Sequence, residues 1–165
     1  MGFLDIYETG FTSYNCAVLC SIPFLPKETR EALYPIVACT SWGIMASFHS
    51  SAFWVTDVFD KFAARYNLSR RNWNFGNFIV HIVPPIITTV WQPNSISNYH
   101  GIIASLMNYS WILLASKGTY ILDRVYIKCP ATTWYKMISV SLITELITPS
   151  VFNLSKRLVK YIRKE

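Results

Sequence analysis

Two long uncharged stretches constrain this chain more than any other feature. No Lys, Arg, Asp or Glu occurs in residues 32–56 or in residues 72–116. A helix needs about 20 predominantly apolar residues to cross a bilayer, so the shorter stretch accommodates one crossing and the longer stretch two. Charged residues make up 15% of the chain, against roughly 25% in soluble domains. The sequence therefore predicts an all-α fold, a polytopic helical transmembrane bundle in an integral membrane protein.

Five segments have the composition of membrane helices, which predicts a bundle of three to five such helices. They are residues 10–25, 32–56, 73–91, 99–116 and 131–152. The first is short for a crossing, and Lys136 and Glu145 interrupt the fifth. Three crossings are expected from the middle segments, and the sequence leaves open whether the first and the fifth cross.

The basic residues bear on the orientation of these helices. They cluster in the loop 57–72, in residues 117–128 and in the C-terminal tail. Basic loops collect on the cytoplasmic side of a membrane, and all three clusters share one side only if the fifth segment does not cross completely. The charge pattern therefore favours a fifth segment that re-enters or is sheltered within the bundle. The endoplasmic reticulum and the mitochondrial inner membrane both suit such a protein.

The chain divides into a single transmembrane helical domain, residues 1–152, and a basic amphipathic C-terminal tail, residues 153–165. At helical spacing Leu154, Leu158 and Tyr161 share one face of the tail. We therefore expect the tail to bind anionic lipid headgroups at the membrane surface. A solvated flank of the last helix is the alternative. The net charge of +6 requires no nucleic acid, because the cations lie beside membrane helices.

Small residues recur on one face of two segments. They are Cys39, Gly43, Ser47 and Ser50 in the second segment, and Gly101, Ser105 and Asn108 in the fourth. Such stripes let helix backbones approach closely in lipid. Asn108 must also find a hydrogen-bond partner, because an unpaired amide in hydrocarbon is costly. Both stripes predict helix packing rather than chemistry.

Two ionisable residues within apolar segments are candidates for chemistry. His81 lies one turn before Pro84 and Pro85, which remove backbone donors and leave carbonyl groups free to line a cavity. Its alternative role is that of a neutral histidine bonded to a neighbouring helix. Glu145 does not share a helix face with Lys136 and therefore needs another partner or water. The histidines and cysteines show no metal-ligand spacing, so neither a metal nor a cofactor is predicted.

A set of polar motifs resembles those of a known membrane family. It consists of Tyr14-Asn15-Cys16, Ser41-Trp42-Gly43-Ile44, Phe78-Ile79-Val80-His81 followed by Pro84-Pro85, and Asn108-Tyr109. With these motifs in this order, residues 14–122 resemble the YwaF-like membrane proteins. They also resemble the related androgen-induced membrane hydrolases and an ether-lipid acyltransferase. The resemblance implies an intramembrane acyl-transfer site that acts on a lipid ester, with membrane lipids as partners.

The resemblance assigns Cys16 to the position of the nucleophile and His81 to that of the base. An imidazole near a thiol takes its proton, raises the thiolate fraction and later protonates the leaving alcohol. The chain departs from the family in its short first segment, and no third residue that would orient His81 is identifiable in the sequence.

A non-catalytic accessory subunit of a larger membrane complex is the competing interpretation. A small, basic and aromatic-rich chain with short loops suits a component packed into an organellar or envelope assembly. Partner membrane subunits would then satisfy Lys136, Glu145 and Asn108. A small pore or carrier has less support, because the sequence contains no repeated pair of broken helices.

Overall fold

Helices make up the fold, and a computed structural model of the protein describes residues 10–116 and 131–163. The seven α-helices in this part are α1 (Gly10–Ser21), α2 (Lys27–Ser50), α3 (Val58–Arg65), α4 (Arg70–Asn77), α5 (Val83–Val90), α6 (Asn98–Ser116) and α7 (Ala131–Arg163). Short 3-10 turns at Ile22–Phe24 and Ser51–Phe53 follow α1 and α2, and a π-helical turn at Phe78–Ile82 joins α4 to α5. Since no strand occurs within these residues, the all-α prediction is confirmed for the described part of the chain.

Helix α2 lies at the centre of the bundle, where it packs against α7, α6, α5 and α1. We name the two ends of the bundle by the tryptophan at each. At the Trp54 end, Lys136 near the start of α7 places its Nζ 5.9 Å from the Trp54 ring centroid. At the Trp91 end, Asn153 near the end of α7 donates to the backbone oxygen of Ile96 over 3.0 Å. Helix α7 therefore runs the length of the bundle.

Only α7, among the helices of the described residues, is long and apolar enough by itself to cross a membrane. The qualifying part is Tyr135–Ile162, 28 residues long. This differs from the expectation, which placed the crossings in the three middle segments and left the fifth open. In the structure α2 begins with the charged turn that starts at Lys27, and the third segment is divided among α4, the π-helical turn and α5.

The re-entry or shelter expected of the fifth segment stays a prediction. Helix α7 continues without a break past Pro149 and past residue 152, and the basic tail therefore lies at the Trp91 end. The loop 57–72 lies at the opposite end, and the third basic cluster, residues 117–128, is outside the described residues. The two charges do not interrupt α7, because Lys136 sits near its start and Glu145 has a partner inside the bundle.

The distribution of polarity is inverted relative to that of a water-soluble bundle. Polar side chains are buried on the inner faces, among them Asn15, His81, Asn108 and Glu145. Large apolar side chains point outward from α6 and α7, and they include Ile102, Leu106, Ile143, Leu146, Ile147 and Val151. Exposed aromatic rings gather at the ends, with Phe53 and Tyr135 at the Trp54 end and Phe24, Trp91 and Tyr99 at the Trp91 end.

Candidate functional site

Two adjacent prolines open the helix around His81. Pro84 and Pro85 lack backbone N–H groups, so the carbonyls of Val80 and His81 lose the donors that an α-helix would supply. The chain responds with the π-helical turn, in which the N–H of Val83 bonds to the carbonyl of Phe78. Single π-helical turns inside α-helices occur frequently at functional sites.

The thiol of Cys16 bonds to one of the two carbonyl groups that the prolines leave without a backbone donor. Its Sγ donates to the backbone oxygen of Val80 over 3.6 Å, although the two residues are 64 apart in the chain. The preceding residue, Asn15, donates from Nδ2 to Ser41 Oγ over 2.9 Å and ties α1 to α2. The fold therefore brings Cys16 onto the residue that immediately precedes His81.

His81 is 9% exposed and lies against an aromatic ring. Its imidazole stacks on Phe48 with a centroid distance of 4.0 Å and an interplanar angle of 20°. The Nδ1 atom is buried and has no hydrogen-bond partner within the described residues. Cys16 and His81, both of which the structure describes, form no hydrogen bond with each other. The Cys16 thiol therefore contacts the residue before His81 and is not bonded to His81 itself.

Asn77 is a further candidate residue beside His81 that the sequence analysis missed. It precedes His81 by one turn, its Oδ1 is buried without a partner among the described residues, and its backbone carbonyl lies within reach of the imidazole. The spacing of four residues between Asn77 and His81, which places both side chains on one helix face, is the sequence signal for this pair. The described residues contain no group of three or more His, Cys, Asp or Glu side chains that could hold a metal ion.

A second polar cluster surrounds Glu145, which is fully buried at 0% exposure. Asn108 donates from Nδ2 to Glu145 Oε1 over 3.0 Å and to Ser141 Oγ over 2.7 Å. Gly43 and Gly101, one from each predicted stripe, lie directly against Glu145. Asn108 and Glu145 therefore pair inside the chain, while Glu145 Oε2 is buried without a hydrogen-bond partner among the described residues.

A cavity of about 800 Å³ lies at the Trp91 end, between α1, α2 and the segment that follows α5. This volume falls within the roughly 300–1,000 Å³ range of small-molecule sites. Tyr34 closes one side by donating from its hydroxyl to the backbone oxygen of Trp91 over 2.5 Å. Cys20 lines the cavity, one helical turn from Cys16 on the same helix.

Comparison with protein-family models gave no match, and comparisons with curated proteins and with solved structures gave none either. The resemblance to the YwaF-like proteins stays a prediction, and so do the roles that it assigns to Cys16 and His81.

Proposed function

We propose that this chain is an integral membrane protein with several crossing helices, and that Cys16 and His81 form an intramembrane acyl-transfer site for a lipid ester. The observation that carries the proposal is the contact between the Cys16 thiol and the carbonyl of Val80. It brings a thiol from α1 to the residue before His81, whose Nδ1 is buried and unpaired among the described residues.

The inverted polarity supports the membrane part of the proposal. A bilayer has no water to satisfy polar groups, so a protein within it turns polar side chains inward and apolar side chains outward. Amphipathic aromatic rings collect at the level of the lipid headgroups, which suits the exposed rings at both ends of the bundle. Lipid esters are present in both the endoplasmic reticulum and the mitochondrial inner membrane, and either location fits the proposed chemistry.

The proposed reaction proceeds in two transfers of one acyl group. His81 takes the proton of the Cys16 thiol, and the thiolate attacks the carbonyl carbon of the lipid ester. The ester C–O bond breaks, the acyl group remains on sulfur as a thioester, and the leaving alcohol receives the proton from His81. Water or the hydroxyl of a second lipid then attacks the thioester and regenerates the thiol. Hydrolysis and acyl transfer differ only in this second acceptor.

The proposed reaction requires a rearrangement of the thiol before the proton is transferred. The thiol must turn from the oxygen of Val80 toward the imidazole of the next residue, and such adjustments are common in sites without substrate. The unpaired Oδ1 of Asn77 is the acceptor that would then hold the Nδ1–H of His81 and leave Nε2 to receive the proton. The accessory-subunit alternative loses one argument, because Glu145 and Asn108 already pair within the chain.

Replacement of either proposed catalytic residue tests the enzyme. We expect Cys16→Ala and His81→Ala to abolish turnover of lipid esters in membranes that contain the protein, while His100→Ala, outside the cavity wall and bonded within its own turn, retains it. The readout is release or transfer of a radiolabelled acyl chain, with the thermal unfolding midpoint of each variant as the control for folding. Full turnover in either of the first two variants would remove the proposed mechanism.

The course of α7 predicts the topology. If α7 crosses the bilayer, a C-terminal epitope tag and a tag inserted between α3 and α4, in residues 66–69, lie on opposite sides of the membrane. Protease protection in sealed vesicles measures this, with detergent-permeabilised vesicles as the control that both tags are accessible. Protection of both tags, or cleavage of both, in sealed vesicles would contradict the crossing.

A further inference from the structure

Glu145 lies at the middle of the bundle, far from both of its ends. On α7 it follows Lys136 of the Trp54 end by nine residues and precedes Asn153 of the Trp91 end by eight. At the rise of an α-helix, each separation is about 12–14 Å along the helix axis. The side chain of Glu145 is 0% exposed. A negative charge at this position would therefore be remote from the water at either end.

No cation balances the carboxyl group of Glu145 within the part of the chain that the structure describes, where the one ion pair joins Arg70 to Asp60. The groups that face Glu145 are Cys39 and Gly43 on α2, Gly101, Ser105 and Asn108 on α6, and Ser141 on α7. None of them carries a positive charge. An isolated ionised carboxylate is so costly to bury that such a group takes up a proton instead.

The hydrogen bonds of the carboxyl group leave a place for this proton. Oε1 accepts from Asn108, whereas Oε2 is buried without a partner among the described residues. Ser105 lies beside the same carboxyl group, and its buried Oγ has no partner in the described part of the chain either. A carboxylate only accepts hydrogen bonds, but a carboxylic acid also has one O–H to donate. A proton on Oε2 therefore supplies a donor for the oxygen of Ser105.

The packing around Glu145 favours a proton over a metal cation. A Cβ atom at Gly43 would lie 2.5 Å from Cγ, 2.6 Å from Oε1 and 2.8 Å from Cδ of Glu145, so the carboxyl group lies directly against the backbone of α2. Hard metal cations require about six or more oxygen ligands around them. Helices α2 and α7 would have to separate to admit such a shell, whereas a proton needs no added space.

We propose that Glu145 is a proton-binding site at the centre of the bundle. It is a neutral carboxylic acid while α2, α6 and α7 are packed together, and it becomes a carboxylate when these helices separate. Binding of the proton is coupled to helix packing, because the ionised form must be hydrated or paired and the contact with Gly43 excludes both. The site is independent of the proposed acyl transfer, since neither Cys16 nor His81 takes part in it.

Unfolding of the full chain in a neutral detergent, measured as a function of pH, tests this proposal. A glutamate in the unfolded chain is ionised above about pH 5, whereas the folded chain retains the proton of Glu145. The folded state then binds one proton more than the unfolded state, so its stability falls as the pH rises. We expect the unfolding equilibrium constant, relative to that of Glu145→Gln, to rise by up to about tenfold for each pH unit above this value.

Glu28→Gln is the matched control, because Glu28 is exposed in the first turn of α2. The ratio of its unfolding constant to that of the natural chain is expected to stay the same at every pH. A ratio for Glu145→Gln that does not change with pH overturns the proposal. A ratio that changes when choline replaces sodium at constant pH also overturns it, in favour of a bound metal cation.

Infrared spectroscopy of the natural chain keeps the proposal testable if Glu145→Gln does not fold. Isotope-labelled glutamate identifies the carbonyl band of a protonated glutamic acid, which differs in frequency from the bands of a carboxylate. We expect this band in the folded chain at neutral pH, and we expect it to be absent from Glu145→Gln where that variant folds. A natural chain without the band, or a variant that retains it, overturns the proposal.

Discussion

Replacement of Gly101 by Ala is expected to destabilise the protein by about 3 kcal/mol, the upper part of the usual range for overpacking a buried site. A Cβ atom at Gly101 would lie 2.6 Å from the backbone oxygen of Glu145 and 3.3 Å from the Cα of Leu146. These atoms belong to the backbone of α7 and cannot rotate away. Helices α6 and α7 would therefore have to separate.

The unfolding midpoint in mild detergent, measured by heat or by denaturant, checks this expectation. Gly76→Ala is the matched control, because nothing lies within 4 Å of a Cβ atom at that position in α4. We expect the control to be neutral or to stabilise by up to about 1 kcal/mol, since alanine favours helix more than glycine does. Equal effects of the two substitutions would contradict the close contact of α6 with α7.

Asn108→Leu is expected to destabilise the protein by about 2–3 kcal/mol. The substitution removes the donor to Glu145 Oε1 and to Ser141 Oγ, and it leaves a carboxyl group without this partner in a fully buried position. An unsatisfied buried polar group costs more than the hydrogen bond contributed. Glu145→Gln keeps the size of the side chain and an acceptor for Asn108, and its expected cost is below about 1 kcal/mol.

A double-mutant cycle measures the interaction free energy between Asn108 and Glu145 apart from the effect of each substitution on other neighbours. If Asn108 and Glu145 interact directly, Asn108→Leu costs less in a Glu145→Leu background than in the natural chain, because no carboxyl group is then left unpaired. Unfolding in denaturant measures all four proteins. Asn74→Leu serves as the control, since Asn74 is exposed on α4. Strictly additive effects of the two leucine substitutions would refute the interaction.

The helical class and several packing features could be predicted from the sequence, because they depend on local composition and spacing. The uncharged stretches predict helices, and the small-residue stripes predict close approach of a neighbouring backbone. The structure shows this approach at Gly101, whereas the side chain of Glu145 occupies the space at Gly43. The need of Asn108 for a partner follows from its apolar segment alone. These inferences require only the chemistry of one helix at a time.

The course of α7 could not be predicted, because it depends on residues that are distant in the sequence. The charge of Glu145 suggested an interruption of the fifth segment. Only the fold shows that Asn108 on α6 donates a hydrogen bond to this carboxyl group. The contact between Cys16 and Val80 could not be predicted for the same reason. Two prolines predict free carbonyls on their own helix, but nothing local identifies a thiol on α1 as the group that bonds to Val80.

Helix α1 spans 12 residues, against 24 in α2 and 33 in α7. Its polar contacts with the bundle include Asn15 to Ser41 and Cys16 to Val80. A short peripheral element opens at lower free energy than the long helices of a bundle core. Leu19, Cys20 and Ile22 of α1 and the turn after it form one wall of the cavity. Movement of α1 away from the bundle would open the cavity laterally, while α2, α6 and α7 remain packed together. A bilayer lipid could then enter the cavity through this lateral opening without first leaving the membrane.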